Sequence, residues 1–190
     1  MKLSSQLKLF VCSAAIATAS VSQATVFDAI NKAQSKITFG FQQMGVNMEG
    51  QFNNFDGELS FDTEQPEQSS VNFKVYLDSV DLGSPPFNDE VAGKDWFNTK
   101  AFPVAEFAST AVKAEDGNRL LVKGNLTIKG QTETIEFPVS FQESNGLGIL
   151  QGQFVVQRGK FKIGEGSWSS FDIVANPVSV QFTVAAEPKQ

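Results

Sequence analysis

Histidine is absent from this chain of 190 residues, and cysteine occurs once, at Cys12. Without histidine, Ser-His-Asp and Cys-His nucleophile systems are excluded, as are zinc sites built on His or Cys ligands. Basic residues are also scarce: 15 Lys and Arg stand against 21 Asp and Glu, a formal charge of −6. Such an acidic chain is a poor binder of phosphate backbones, so no nucleic-acid partner is expected. The same balance argues against broad electrostatic adhesion to anionic membranes. No calcium-loop pattern is present. Gly164-Glu165-Gly166 lacks the Lys-Ser/Thr of a phosphate loop and reads as a turn or bulge.

The N-terminus has the layout of a secretory signal peptide. Lys2 and Lys8 come first, an apolar and small run follows from Leu9 to Ala19, and Ser22-Gln23-Ala24 supplies small residues for cleavage. The run is shorter than the roughly 20 residues that span a bilayer. We expect residues 1–24 to be removed, leaving a single domain over 25–190 without a stable membrane anchor; a retained N-terminal anchor is the alternative. Val11 stands before Cys12 where an acylated cysteine would need a small residue. The exported domain would then lack cysteine, and losing Lys2 and Lys8 takes its charge from −6 to −8. Its expected destination is the bacterial periplasm.

What the chain does have is phenylalanine: 18 Phe against one Tyr and two Trp. Phe carries no polar handle, so these rings must pack together or meet an apolar ligand. Many fall on a period of two, the spacing of strands with one apolar face. Ile37, Phe39 and Phe41 alternate with polar or small residues. So do Val71, Phe73, Val75 and Leu77; Ile135, Phe137, Val139 and Phe141; and Val178, Val180, Phe182 and Val184. Residues 48–62, 104–114, 119–129 and 147–163 read as further strands. Asp116-Gly117-Asn118, Lys129-Gly130-Gln131 and Asn145-Gly146 read as turns. Asn53-Asn54 and Asp56-Gly57 read as breaks or bulges.

Leu82 to Phe102 interrupts the rhythm. Gly83-Ser84-Pro85-Pro86 cannot form a central strand, and Asn88 is placed to cap a short helix over 89–92. A connection this long suits a lid or binding loop. The fold class is therefore all-β: an antiparallel barrel or sandwich of about eight strands, with one long loop and short helix at a mouth. An eight-strand barrel is wide enough to be filled by side chains or to hold a slender ligand.

Three blocks resemble the YceI-like family: Lys94-Asp95-Trp96-Phe97-Asn98-Thr99-Lys100-Ala101-Phe102-Pro103-Val104-Ala105-Glu106-Phe107-Ala108-Ser109, Gly124-Asn125-Leu126-Thr127-Ile128-Lys129-Gly130, and Phe137-Pro138-Val139. Arg158-Gly159-Lys160-Phe161-Lys162-Ile163-Gly164-Glu165-Gly166-Ser167-Trp168 looks like a closing motif of one branch. The resemblance runs from about Ser35 to the end. It implies an extended lipocalin-like barrel that binds a polyisoprenoid lipid, an isoprenoid quinone or polyprenyl phosphate, without covalent attachment or catalysis. Carriage, storage or stress response are the implied roles. Many members carry an Arg-Asp-x-His motif in the long loop; here Asn88-Asp89-Glu90-Val91-Ala92-Gly93-Lys94 has neither Arg nor His.

On this reading Phe39, Phe41, Phe73, Val75, Phe137, Val139, Val180 and Phe182 line a tunnel. Trp96, Phe97, Phe102, Arg158 and Trp168 stand at its mouth, either holding a head group or stapling the loop to the barrel. Arg158 follows the apolar Phe154-Val155-Val156. If it points inward it needs a partner, which is either a ligand oxygen or the backbone carbonyls of the barrel end. Lys94 is either a substitute charge or solvated. Asp89, Glu90 and Asp95 form either a carboxylate pair or a solvated acidic loop. No cofactor and no catalytic residue is expected, and a homodimer through a strand edge is possible. The rival reading is a structural or interaction β-domain with a packed, ligand-free core.

Overall fold

The computed structural model describes residues 25–189. The expected signal segment and Cys12 lie outside them. The strands are β1 (Val26–Gln43), β2 (Val46–Phe52), β3 (Phe55–Asp62), β4 (Ser70–Tyr76) and β5 (Val80–Asp81). After helix α1 (Pro85–Ala92) come β6 (Val104–Glu115), β7 (Arg119–Ile128), β8 (Gln131–Ser144), β9 (Leu147–Gln157) and β10 (Pro177–Pro188). Strand order is β10-β9-β8-β7-β6-β4-β3-β1-β2-β5, and β10 also pairs with β1, so the sheet closes. β2 and β3 both follow along β1, whose C-terminal part pairs with β2 and whose first residues pair with β3. They act as one strand bent at Asn53-Asn54; β5, which pairs with β2, likewise continues β4 beyond a 3-10 turn at Leu77–Ser79, which makes this a closed eight-strand antiparallel barrel.

Alternation determines which side chains fill it. In the closing seam Ile37 lies opposite Phe182 and Phe39 opposite Val180, so the apolar faces of β1 and β10 meet inside. The register slips between Asn31 and Lys36. Ser35 Oγ occupies this bulge, accepting from the Ala185 N–H at 2.9 Å and donating to the Asn31 carbonyl at 2.7 Å. The backbone groups freed by the slip are thereby satisfied.

Glycine makes room for the Phe rings. Phe39 lies directly opposite Gly50, Phe73 opposite Gly57 and Phe182 opposite Gly152. In each pair the ring occupies the space a Cβ would need, and Phe107 does the same over Gly124. Each ring thus lies back over a neighbouring strand rather than projecting straight to the barrel axis. This corrects the expectation of a bulge at Asp56-Gly57: Gly57 sits within β3 as the seat of Phe73.

The two ends differ. At the lower end, where β1 begins, Phe27, Phe61 and Phe141 meet with centroids 4.7–6.4 Å apart. At the upper end sit α1 and the segment between β9 and β10. Two expectations fail here. The strand read over 147–163 stops at Gln157, because Arg158–Phe161 turns into a 3-10 helix and Lys162 takes a left-handed conformation. Helix α1 starts at Pro85 rather than after Asn88, since proline suits the first helical turn. Asn88 lies inside the helix, and its Oδ1 accepts from the Leu82 N–H at 2.8 Å.

Candidate functional site

The barrel interior is not filled. A lower cavity of about 170 Å³ has Phe73, Phe137, Val139 and Phe182 in its wall. An upper cavity of about 210 Å³ has Phe39, Phe41, Trp96, Phe97 and Trp168 in its wall. Both are bounded by Ile37, Val75, Ala105, Leu126, Phe154 and Val180, so they lie end to end. All eight residues expected in a tunnel wall thus face one cavity or both. Sequence reading missed Ala105, Leu126 and Phe154; Phe154 was seen only as part of the run before Arg158.

The lower cavity is lined almost wholly by apolar atoms, with Glu106, Ser69 and Ser70 at its edge. Phe87 and Glu90 of α1 join the wall of the upper cavity. Trp96 is buried, its ring centroid 5.5 Å from that of Trp168. The indole N–H of Trp168 donates to Glu90 Oε1 at 2.7 Å, which ties the segment after β9 to α1. Phe97 packs on Phe52, their centroids 6.0 Å apart. Phe102 faces neither cavity; it lies over Gly130 and anchors the loop to the β7–β8 turn.

Arg158 is 2 % exposed and lines the upper cavity. Its guanidinium is spent on backbone carbonyls. Nη1 donates to Ile163 at 2.7 Å and Gly164 at 3.0 Å. Nη2 donates to Val174 at 2.7 Å, Trp168 at 2.9 Å and Ser170 at 3.3 Å. Nε donates to Val174 at 3.2 Å and Ala175 at 3.3 Å. The ring of Phe171 lies 4.9 Å from its Cζ and that of Trp96 5.7 Å. Burial lowers its pKa from the ordinary arginine value, while the carbonyl dipoles favour the charged form. Of the two roles open to Arg158, the geometry is that of a knot drawing the chain between β9 and β10 over the barrel end. With five N–H groups directed at carbonyls, it has none to offer a head group.

A second buried cation escaped sequence reading. Lys129, 7 % exposed, donates to the Lys162 carbonyl and reaches Glu165 Oε2 at 2.9 Å. A lysine in a turn gives no sequence signal of burial, because the partner arrives from 36 residues away. Lys94, Asp89 and Asp95 are exposed and line neither cavity. Among the described residues no group of three or more His, Cys, Asp or Glu is placed to hold a metal ion. No described helix is long and apolar enough to cross a membrane.

Comparison with known proteins agrees with this architecture. A UPF0312 protein of Photorhabdus laumondii is 36% identical over 100 residues, 52% of each chain. One of Shewanella oneidensis is 36% identical over 104 residues, 54% of each. The matched segment spans about half the length of these curated relatives. Among solved structures, BcnA of Burkholderia cenocepacia superposes with a TM-score of 0.80 at 37% identity, covering 83% of this chain and 99% of that one. A polyisoprenoid binding domain from Saccharophagus degradans, implicated in plant cell wall breakdown, superposes at 0.68 with 16% identity, over 86% of this chain and 99% of that one. The latter likeness is one of fold. The YceI-like domain model matches residues 29–186; with the closed barrel and its apolar interior, that match makes this chain a member of the YceI-like family.

Proposed function

We propose that this protein binds a polyisoprenoid lipid in its barrel, without chemical turnover, to carry or store it in the periplasm. The observation that carries the reading is the pair of apolar cavities stacked along the barrel axis. Two apolar chambers placed end to end suit a slender branched hydrocarbon chain. Each buried methylene contributes about 0.8 kcal/mol, so a few isoprene units are enough for firm binding. The polyisoprenoid binding domain that shares this fold supports the ligand class. A packed, ligand-free module fits less well, because close-packed interiors leave few voids larger than a water molecule.

The test is native mass spectrometry of the protein recovered from a periplasm, followed by organic extraction. A bound isoprenoid is expected, with an isoprenoid quinone reloaded after delipidation. Recovery of apo protein alone, with no uptake of added quinone, would overturn the proposal. The same preparation tests export: loss of residues 1–24 is the expected mass.

A further inference from the structure

Six large apolar side chains stand exposed among the described residues: Met44, Val46, Phe87, Val155, Phe171 and Ile173. Single exposed apolar residues are ordinary, whereas a gathering of them marks a contact surface. All but Val155, which lies on the outer face of β9, are at the upper end of the barrel. Met44 and Val46 belong to the turn between β1 and β2, Phe171 and Ile173 to the chain returning to β10, and Phe87 to α1. The Met44 N–H donates to the Ile173 carbonyl at 2.8 Å, which joins the first two segments into one rim.

Met44 is an unexpected residue for its backbone. Met44 and Gly45 both take positive φ, 51° and 80°, as a two-residue hairpin turn of this hand requires. Such turns favour Asn or Asp at the first position, because other side chains are strained there. The β8–β9 turn at the lower end, Asn145-Gly146, follows that preference with φ of 52° and 77°. Lys129-Gly130 departs from it, and there the side chain is used inside the fold, on Glu165. Met44 has no such use, since it is 77 % exposed. A flexible thioether adapts well to an irregular apolar surface.

Three features indicate what covers this rim. First, it is continuous with the barrel interior. Met48 and Phe52 line the upper cavity, and Val46 extends their alternate row along β2 beyond it. Phe87 belongs to the cavity wall while 49 % exposed. Second, its charge is mixed: α1 exposes Asp89 and Glu90, and the chain between β9 and β10 exposes Lys160, Lys162, Glu165 and Asp172. Neither an anionic surface nor a partner of one strong charge is complementary to it. Third, it is small. Five side chains on three segments fall far short of the about 20–30 residues a side in a stable protein interface. A neutral lipid surface needs neither that area nor a fitted shape.

We propose that the upper end docks reversibly on a lipid bilayer with neutral head groups, with Met44, Val46, Phe171 and Ile173 entering its apolar boundary. Docking turns the upper cavity toward the membrane. Its use in lipid transfer rests on the lipid-binding reading above; the docking itself does not.

The experiment uses delipidated protein from a periplasm and vesicles of phosphatidylcholine alone. Flotation is expected to carry the protein with the vesicles, and salt raised from about 0.1 M to about 1 M is expected not to weaken this, because apolar insertion is not screened. Met44→Asn combined with Val46→Thr is expected to weaken binding about tenfold. The thermal midpoint should hold or rise, because Asn suits the turn. Val155→Thr, away from the rim, is expected to change nothing. Equal losses from Val155→Thr and the rim variant would overturn the proposal, as would binding that requires anionic lipid. Absence of vesicle binding would overturn it too, and a dimer in sedimentation that the rim variant abolishes would assign the rim to a second copy. Quinone uptake separates the two readings. The rim variant is expected to take quinone from detergent as the wild type does and from vesicles several-fold more slowly. A wild type that floats with vesicles but takes no quinone from detergent loses the lipid-binding reading and keeps the docking.

Discussion

At the lower end of the barrel, three phenylalanines close the interior; at the upper end, a buried arginine, two tryptophans and a glutamate do so. Phe27, Phe61 and Phe141 need no partner beyond one another, and Gly148 leaves room for Phe27 and Phe141. The upper end is tied by directional bonds: Arg158 to carbonyls from Ile163 to Ala175, Lys129 to Glu165 and Trp168 to Glu90. An apolar plug tolerates small shifts, because dispersion and burial are not directional. A hydrogen-bonded cap holds one geometry or fails, because every unmade bond leaves a buried group unsatisfied. The difference is between an end held by apolar packing and an end held by directional bonds.

That contrast can be broken most severely at Arg158. Arg158→Leu leaves buried carbonyls without donors and should cost about 4–5 kcal/mol. Urea denaturation followed by circular dichroism measures it. Hydrogen exchange should show the upper end opening first, and an unchanged midpoint would refute the knot. At the lower end, Phe61→Ala should cost about 3 kcal/mol, from lost burial and the void left behind. Its exchange pattern should loosen around Phe27 and Phe141 while the upper cap stays protected. If both variants loosen the whole barrel equally, the two ends are not separate devices.

The smallest effect concerns acid. Asp81, which leads into the α1 loop, has its pKa lowered from 3.8, first by the Gly83 N–H that its carboxylate accepts at 2.9 Å. A lowered folded pKa means that its stabilisation is present above 3.8 and is lost as pH falls through the lower folded value. Exchange of the Gly83 amide should quicken below that point in the native protein. Asp81→Asn should abolish this pH dependence, leaving the Phe27–Phe61–Phe141 region unaffected.

Parts of this arrangement were legible before any coordinates. Phe137 and Val139 alternate with Glu136 and Pro138, and that period specifies a strand with one buried face. The first half of β1 was not legible: Asp28, Asn31 and Lys32 interrupt the pattern where the strand bulges against β10. Trp96 and Phe102 lie six positions apart and looked alike as mouth aromatics, yet one walls the cavity and the other packs on Gly130. Only the path of the loop tells them apart. Of the glycines beneath the Phe rings, only Gly57 was given a backbone role from sequence, as part of a break or bulge; its use as a seat was not legible, because the ring comes from another strand.

The sequence by itself determined strands with one apolar face, since side-chain alternation is a local property of the extended chain; closure waits on the pairing of β1 with β10. It also ruled out histidine chemistry. Tertiary structure decided whether the interior would be full or hollow. That outcome depends on how Phe39, Phe73, Phe107 and Phe182 lie back over Gly50, Gly57, Gly124 and Gly152, contacts between strands that no single segment encodes. It also decided which buried polar groups at the upper end find partners. Arg158 is satisfied there and Trp96 is not, because the carbonyls that satisfy arginine arrive on the returning chain.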